Sequence, residues 1–124
     1  MCGIALCYSK NNLNSQKIVK NIINIIKHRG PDNQNYINFE NLSLGSCRLS
    51  IFDLSSKGNM PMRDKSGRYT IVYNGEIYNF KRLKEQFDLQ TKTNTDTEVL
   101  LELYSIKKEK CLDYLNGIFS FVIY

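Results

Sequence analysis

Histidine occurs once among 124 residues, proline twice and tryptophan not at all. With His28 alone, a zinc site would have to be built from Cys2, Cys7, Cys47 and Cys111, and no two of these stand at Cys-x-x-Cys spacing. No metal site is expected, and the four thiols read as reduced. No apolar run approaches the ~20 residues of a membrane helix, the longest being Ile118–Tyr124. The opening Met1-Cys2-Gly3-Ile4 has neither a basic leader nor the length of a signal peptide. A cytoplasmic protein without a membrane partner is the expectation. Repeats, low-complexity linkers and composition breaks are missing too, so residues 1–124 read as one domain with 42% hydrophobic residues to fill its core. The net charge of +5 is spread over single lysines with no aromatic residues interleaved, which suits a solvated surface and not a nucleic-acid groove.

What is present is a clustered pattern of elements. Gly3–Tyr8 has the apolar run of a buried strand. Ile18, Val19, Ile22, Ile23 and Ile26 repeat at helical spacing behind an Asn14/Ser15 cap, predicting a helix over 16–27 that ends at His28-Arg29-Gly30-Pro31-Asp32. Strands are expected over 34–39 and 42–49, and a third over 68–73, running into Asn74-Gly75. Phe80, Leu83 and Phe87 mark a helix over 79–87, and Thr95-Asp96-Thr97-Glu98 is a capping box that opens another. A short helical piece near 111–115 precedes the strand 118–124. Strands and helices that cluster instead of alternating predict an α+β fold.

Few residues here can do chemistry. Cys2, if Met1 is removed, becomes a thiol on a free amino terminus, where the amine itself can take the thiol proton; the plain alternative is a small residue at a frayed end. His28 offers a competing Cys–His pair, but a lone His beside Arg29 reads as structural. Asn74-Gly75 offers a side-chain amide and an unobstructed backbone N–H to a developing oxyanion, or a simple hairpin turn. Arg48, between apolar strand residues, suits a substrate carboxylate held bidentately, or an internal salt bridge. Asp96 suits an ammonium group, or the helix dipole alone. A cation, an anion and a nucleophile together fit an α-amino acid with a reactive side-chain carbonyl, and glutamine has that shape.

Six ordered motifs carry a resemblance over nearly the whole chain: Met1-Cys2-Gly3-Ile4, His28-Arg29-Gly30-Pro31-Asp32, Arg48-Leu49-Ser50-Ile51-Phe52-Asp53-Leu54, Tyr73-Asn74-Gly75-Glu76-Ile77-Tyr78-Asn79, Thr95-Asp96-Thr97-Glu98 and Asn116-Gly117-Ile118-Phe119-Ser120-Phe121. The chain resembles the glutaminase domain of class II glutamine amidotransferases, in particular the glutamine-hydrolysing asparagine synthetases. The resemblance implies an N-terminal-nucleophile hydrolase fold, an α-β-β-α sandwich of two antiparallel sheets between helical layers. It implies Cys2 as nucleophile, Asn74 and Gly75 as the oxyanion hole, Arg48 on the glutamine carboxylate, and Glu76 and Asp96 on its amino end. Leu49, Ser50, Ile51 and Phe52 would line the pocket, while the His-Arg-Gly-Pro-Asp motif would shape the loop near Cys2. The partner implied is glutamine. Ammonia would pass to a synthetase domain on the same chain, which uses ATP and magnesium to activate aspartate; that domain is absent from this sequence, no cofactor is implied for these residues, and a homodimer is left open. A non-catalytic glutamine-binding or assembly module, or the glutaminase of an enzyme that amidates a sugar or peptide, are the alternatives.

Two departures bear on the site. Many family members carry a histidine where Ser46 stands and a glutamine where Met60 precedes Pro61, so a looser loop is expected here. Members also continue with further strands after the Phe-Ser-Phe segment. The sandwich is therefore expected to be incomplete, with an apolar edge at Ile118–Tyr124 that drives association.

Overall fold

The computed structural model describes residues 2–10, 14–51 and 53–124. Sheet A is formed by β1 (Gly3–Tyr8), β2 (Asn33–Asn38) and β3 (Leu42–Arg48), antiparallel in the order β1-β3-β2. Sheet B is formed by β4 (Met62–Arg63), β5 (Thr70–Ile77) and β6 (Gly117–Ile123) in the order β4-β5-β6, again antiparallel. Helix α1 (Ser15–Ile26) follows β1, and α2 (Phe80–Gln86) and α3 (Asp96–Lys107) lie between β5 and β6. The fold is α+β, as the clustering of elements predicts.

Three apolar clusters order these pieces. Val19 and Ile23 of α1 bury against Ala5 and Cys47 of sheet A. That approach requires Gly45, since a Cβ there would stand 2.6 Å from Val19 and 2.9 Å from Ile23. Leu42 and Leu44 of β3 meet Val72 of β5, so a second cluster lies between the sheets. The largest core places Ile71, Tyr73 and Ile77 of β5 against Leu83 of α2 and Val99, Leu100 and Leu103 of α3. Alternation along β5 sends Val72 to one face and its neighbours to the other, as a strand buried on both sides demands.

Four local expectations change. The strand over 68–73 does not turn at Asn74-Gly75: β5 runs on to Ile77, because β6 supplies seven register partners from Ile71↔Ile123 to Ile77↔Gly117. The glycine serves close approach instead, with the Ile118 carbonyl where a Cβ would sit. Asn14 precedes α1 in a left-handed conformation and makes no side-chain cap; the Ser15 hydroxyl pairs with that of Ser43 at 2.9 Å. Thr95 does cap α3, accepting from Glu98 N at 3.2 Å, but Glu98 reaches past it to Lys92 N and Thr93 N, at 2.9 and 2.6 Å. The helical piece near 111–115 is a 3-10 segment over Lys108–Tyr114, and the two-residue strand β4 had no sequence signal.

Asn79 locks the site-bearing end of sheet B. Its Nδ2 donates to Tyr114 O at 2.8 Å and its Oδ1 accepts from Asn116 N at 3.0 Å, holding the start of β6 beside the end of β5. β6 is an edge strand, and Ile118 on it is 70% exposed, which fits the expected apolar edge.

Candidate active site

Cys2 stands immediately before β1, and the β1–β3 register, Gly3↔Cys47, brings it beside the end of β3. Its Sγ accepts from Leu49 N at 3.4 Å and lies 3.8 Å from Leu49 O. The Cys2 carbonyl accepts from Arg29 Nε at 3.1 Å. His28 points elsewhere, with Nδ1 3.2 Å from Ile25 O, so no Cys–His pair forms. Asp32 completes the clamp: its N–H donates to Arg48 O at 3.1 Å and its Oδ2 accepts from Ser50 N at 2.7 Å.

Arg48 ends β3 and is 5% exposed. Nη1 donates to Ser55 O and to Asn59 Oδ1, both at 2.9 Å, and Nη2 to Asp53 O. These partners are carbonyl and amide oxygens. Asp53 follows in the same segment, its carboxyl held below the usual range chiefly by the Ser55 hydroxyl and the Ser55 N–H. Gly58 lies against the guanidinium so closely that a Cβ would collide with Nη2.

At the other end, Asp96 opens α3 and is 4% exposed. Its Oδ2 accepts from Tyr73 Oη at 2.6 Å and Ile77 N at 3.0 Å, and its Oδ1 from Thr97 N at 2.9 Å. Burial, and then the hydrogen bond to Asp96, push the Tyr73 phenol far above its ordinary range.

Between the two lies a cavity of about 200 Å³ lined by Cys2, Arg48, Leu49, Met60, Tyr73, Gly75, Glu76 and Asp96, among others. That is below the ~300–1,000 Å³ typical of drug-sized ligands and suits a smaller molecule. Of the residues singled out in the sequence, Cys2, Arg48, Leu49, Ile51, Gly75, Glu76 and Asp96 all line it. Ser50 lines a neighbouring polar cleft with Asp32 and Asn33. Asn74 is not among the lining residues, and its Oδ1 is buried with no hydrogen-bond partner among the described residues. Phe52 and Met1 lie outside the described residues.

Sequence reasoning passed over Tyr73 and Gly58, and marked Met60 only as a departure from the family pattern, not as a cavity residue. Tyr73 belongs to the Asn-Gly motif but reads as an ordinary strand residue; Gly58 carries no signal of its own. Ser46 and Met60, the two departures from the family pattern, are in contact with each other. Ser46 Oγ donates to Met60 O at 2.7 Å and Tyr73 N donates to Met60 Sδ at 3.2 Å, so both substituted positions remain tied.

A family model of the glutamine amidotransferase domain matches residues 1–124. The chain belongs to that family. Named relatives of this glutamine amidotransferase domain include asparagine synthetase (glutamine-hydrolyzing) 1 of Bacillus subtilis, 36% identical over the whole chain, which covers 21% of it. Asparagine synthetase (glutamine-hydrolyzing) of Gallus gallus is 40% identical over 99% of the chain and 22% of its own length. The amidase chyE of Penicillium rubens is 33% identical over the whole chain and 20% of its own length. The domain thus spans about a fifth of these relatives. No helix among its described residues is long and apolar enough to cross a membrane.

Proposed function

We propose that this domain hydrolyses glutamine to glutamate and ammonia through a Cys2 thioester. The observation that carries the reading is the single cavity lining shared by a thiol, a buried guanidinium and a buried carboxylate. With Met1 removed, the α-amine of Cys2 takes the thiol proton and the thiolate attacks the side-chain amide carbon. The Gly75 N–H and the Asn74 amide stabilise the oxyanion. Collapse expels ammonia, protonated by the same amine, and leaves a γ-glutamyl thioester, which water hydrolyses to glutamate and free thiol. Arg48 holds the substrate carboxylate, Asp96 and Glu76 its ammonium, and Leu49, Ser50, Ile51 and Phe52 the aliphatic stem and backbone contacts.

In the full-length enzyme the ammonia serves ATP-dependent synthesis of asparagine from aspartate, in keeping with the similarity to glutamine-hydrolysing asparagine synthetases. ATP and magnesium belong to the synthetase domain on the same chain, and no residue of this chain is assigned to them. The setting is cytoplasmic, the fold that of the N-terminal-nucleophile hydrolases, and a homodimer is compatible with it.

The test is covalent and does not depend on turnover. A glutamine-mimicking diazoketone should label Cys2 as the mature N-terminus, located by mass spectrometry, and Cys2→Ala should abolish labelling and glutamate release. A retained Met1 or an inert Cys2 would replace this reading with a binding module.

A further inference from the structure

We propose that Tyr73 is a positioning residue that aims the Asp96 carboxylate and so sets the domain's preference for a ligand bearing an α-ammonium group. A buried phenol needs a partner, and Tyr73, 3% exposed, finds it in Asp96 Oδ2 at 2.6 Å. A purely space-filling role between β5 and α3 would be served by phenylalanine.

An ionised carboxylate offers about four acceptor directions. Tyr73 Oη and Ile77 N occupy two on Oδ2, and Thr97 N occupies one on Oδ1. The plane of the carboxylate is thereby fixed, and the remaining acceptor direction lies on Oδ1. Without the Tyr73 hydroxyl, Oδ2 keeps a single backbone donor. Oδ2 then competes for the incoming cation, and the geometry at Oδ1 loosens. Burial keeps the phenol protonated, so it donates throughout the neutral range. The same bond ties the strand that carries Asn74 and Gly75 to the helix that carries Asp96.

This inference rests on the reading of Asp96 as the ammonium acceptor, and the experiment separates the two. In the full chain carrying Cys2→Ala, calorimetry gives the dissociation constants of glutamine and of its des-amino analogue, which keeps the carboxylate and amide but has no ammonium. Adding Tyr73→Phe should weaken glutamine about five- to tenfold and leave the analogue within about twofold, which also reports an intact pocket. Asp96→Asn should abolish the preference for glutamine. Equal weakening of both ligands by Tyr73→Phe, or no change in glutamine while Asp96→Asn weakens it, overturns the positioning role and leaves the Asp96 reading standing. A preference that survives Asp96→Asn, or glutamine that does not bind at all, overturns both.

Discussion

At one end of the cavity Asp96 is fixed by donors from a strand and a helix, whereas at the other Arg48 reaches out of β3 into oxygens of the 53–59 segment, a loop built around a single 3-10 turn at Ser56–Gly58. The carboxylate end takes its geometry from elements that the main core already holds rigid. The guanidinium end rests on β3 through the Arg48 backbone, but its head group meets oxygens of a loop. Arg48 and its loop support each other: Ser55 O, Asp53 O and Asn59 Oδ1 all accept from that side chain, while Ser55 O also accepts from Gly58 N within the segment. A binding site can thus be rigid at one pole and mutually dependent at the other.

The sharpest way to break the contrast is Arg48→Lys. An ammonium cannot satisfy three oxygens in a plane and still present a fork to a carboxylate. Glutamine kcat/KM should fall by roughly a hundredfold, and the melting temperature should drop by a few degrees as the loop loses hydrogen bonds to the guanidinium. A loss of only a few-fold would show that the loop holds its shape without the guanidinium. Gly58→Ala is milder. Its Cβ displaces Arg48 and meets Thr95 Cγ2 at 3.2 Å, and an approximately tenfold rise in glutamine KM with little change in kcat is expected, measurable in steady-state assays.

At the rigid end the balance reverses. Thr95→Ala removes the α3 cap and should cost about 1 kcal/mol of stability in chemical denaturation while changing KM less than Gly58→Ala does. The smallest effects come from pH. Burial raises the thiols of Cys47 and Cys111 and the Tyr73 phenol. Their contribution to stability is therefore complete below the unfolded thiol range near ~8.5, and is lost as pH climbs, since the unfolded chain ionises first. Asp53 is depressed, so what it contributes is present above its unfolded value near ~3.9 and lost as pH falls below it. The cores should weaken in alkali and the loop in acid, with the Ser55 amide resonance following the Asp53 titration.

This asymmetry also explains what could be read from the sequence. α1 and α2 were legible because each carries its apolar residues at helical spacing and α3 because a capping box opens it, and Cys2, Arg48 and Asp96 because a thiol at the terminus, a cation in a strand and a carboxylate together have the chemistry of an amino-acid site. The course of β5 was not legible. Asn-Gly is a local turn signal, and only pairing with β6, more than forty residues downstream, overrules it. The 53–59 segment was equally opaque, since its placement depends in part on a side chain outside it. Tyr73 stayed hidden because its partner Asp96 lies 23 positions away and nothing in strand periodicity marks a bonded hydroxyl.

The position of β3 carries one more consequence. All seven of its residues are buried, and it is hydrogen-bonded on both edges, to β1 and β2. Its amides can reach solvent only when a neighbouring strand detaches. In deuterium exchange they should therefore be the slowest of sheet A, and Arg48, anchored at the end of that strand, inherits its persistence even while the loop around it opens.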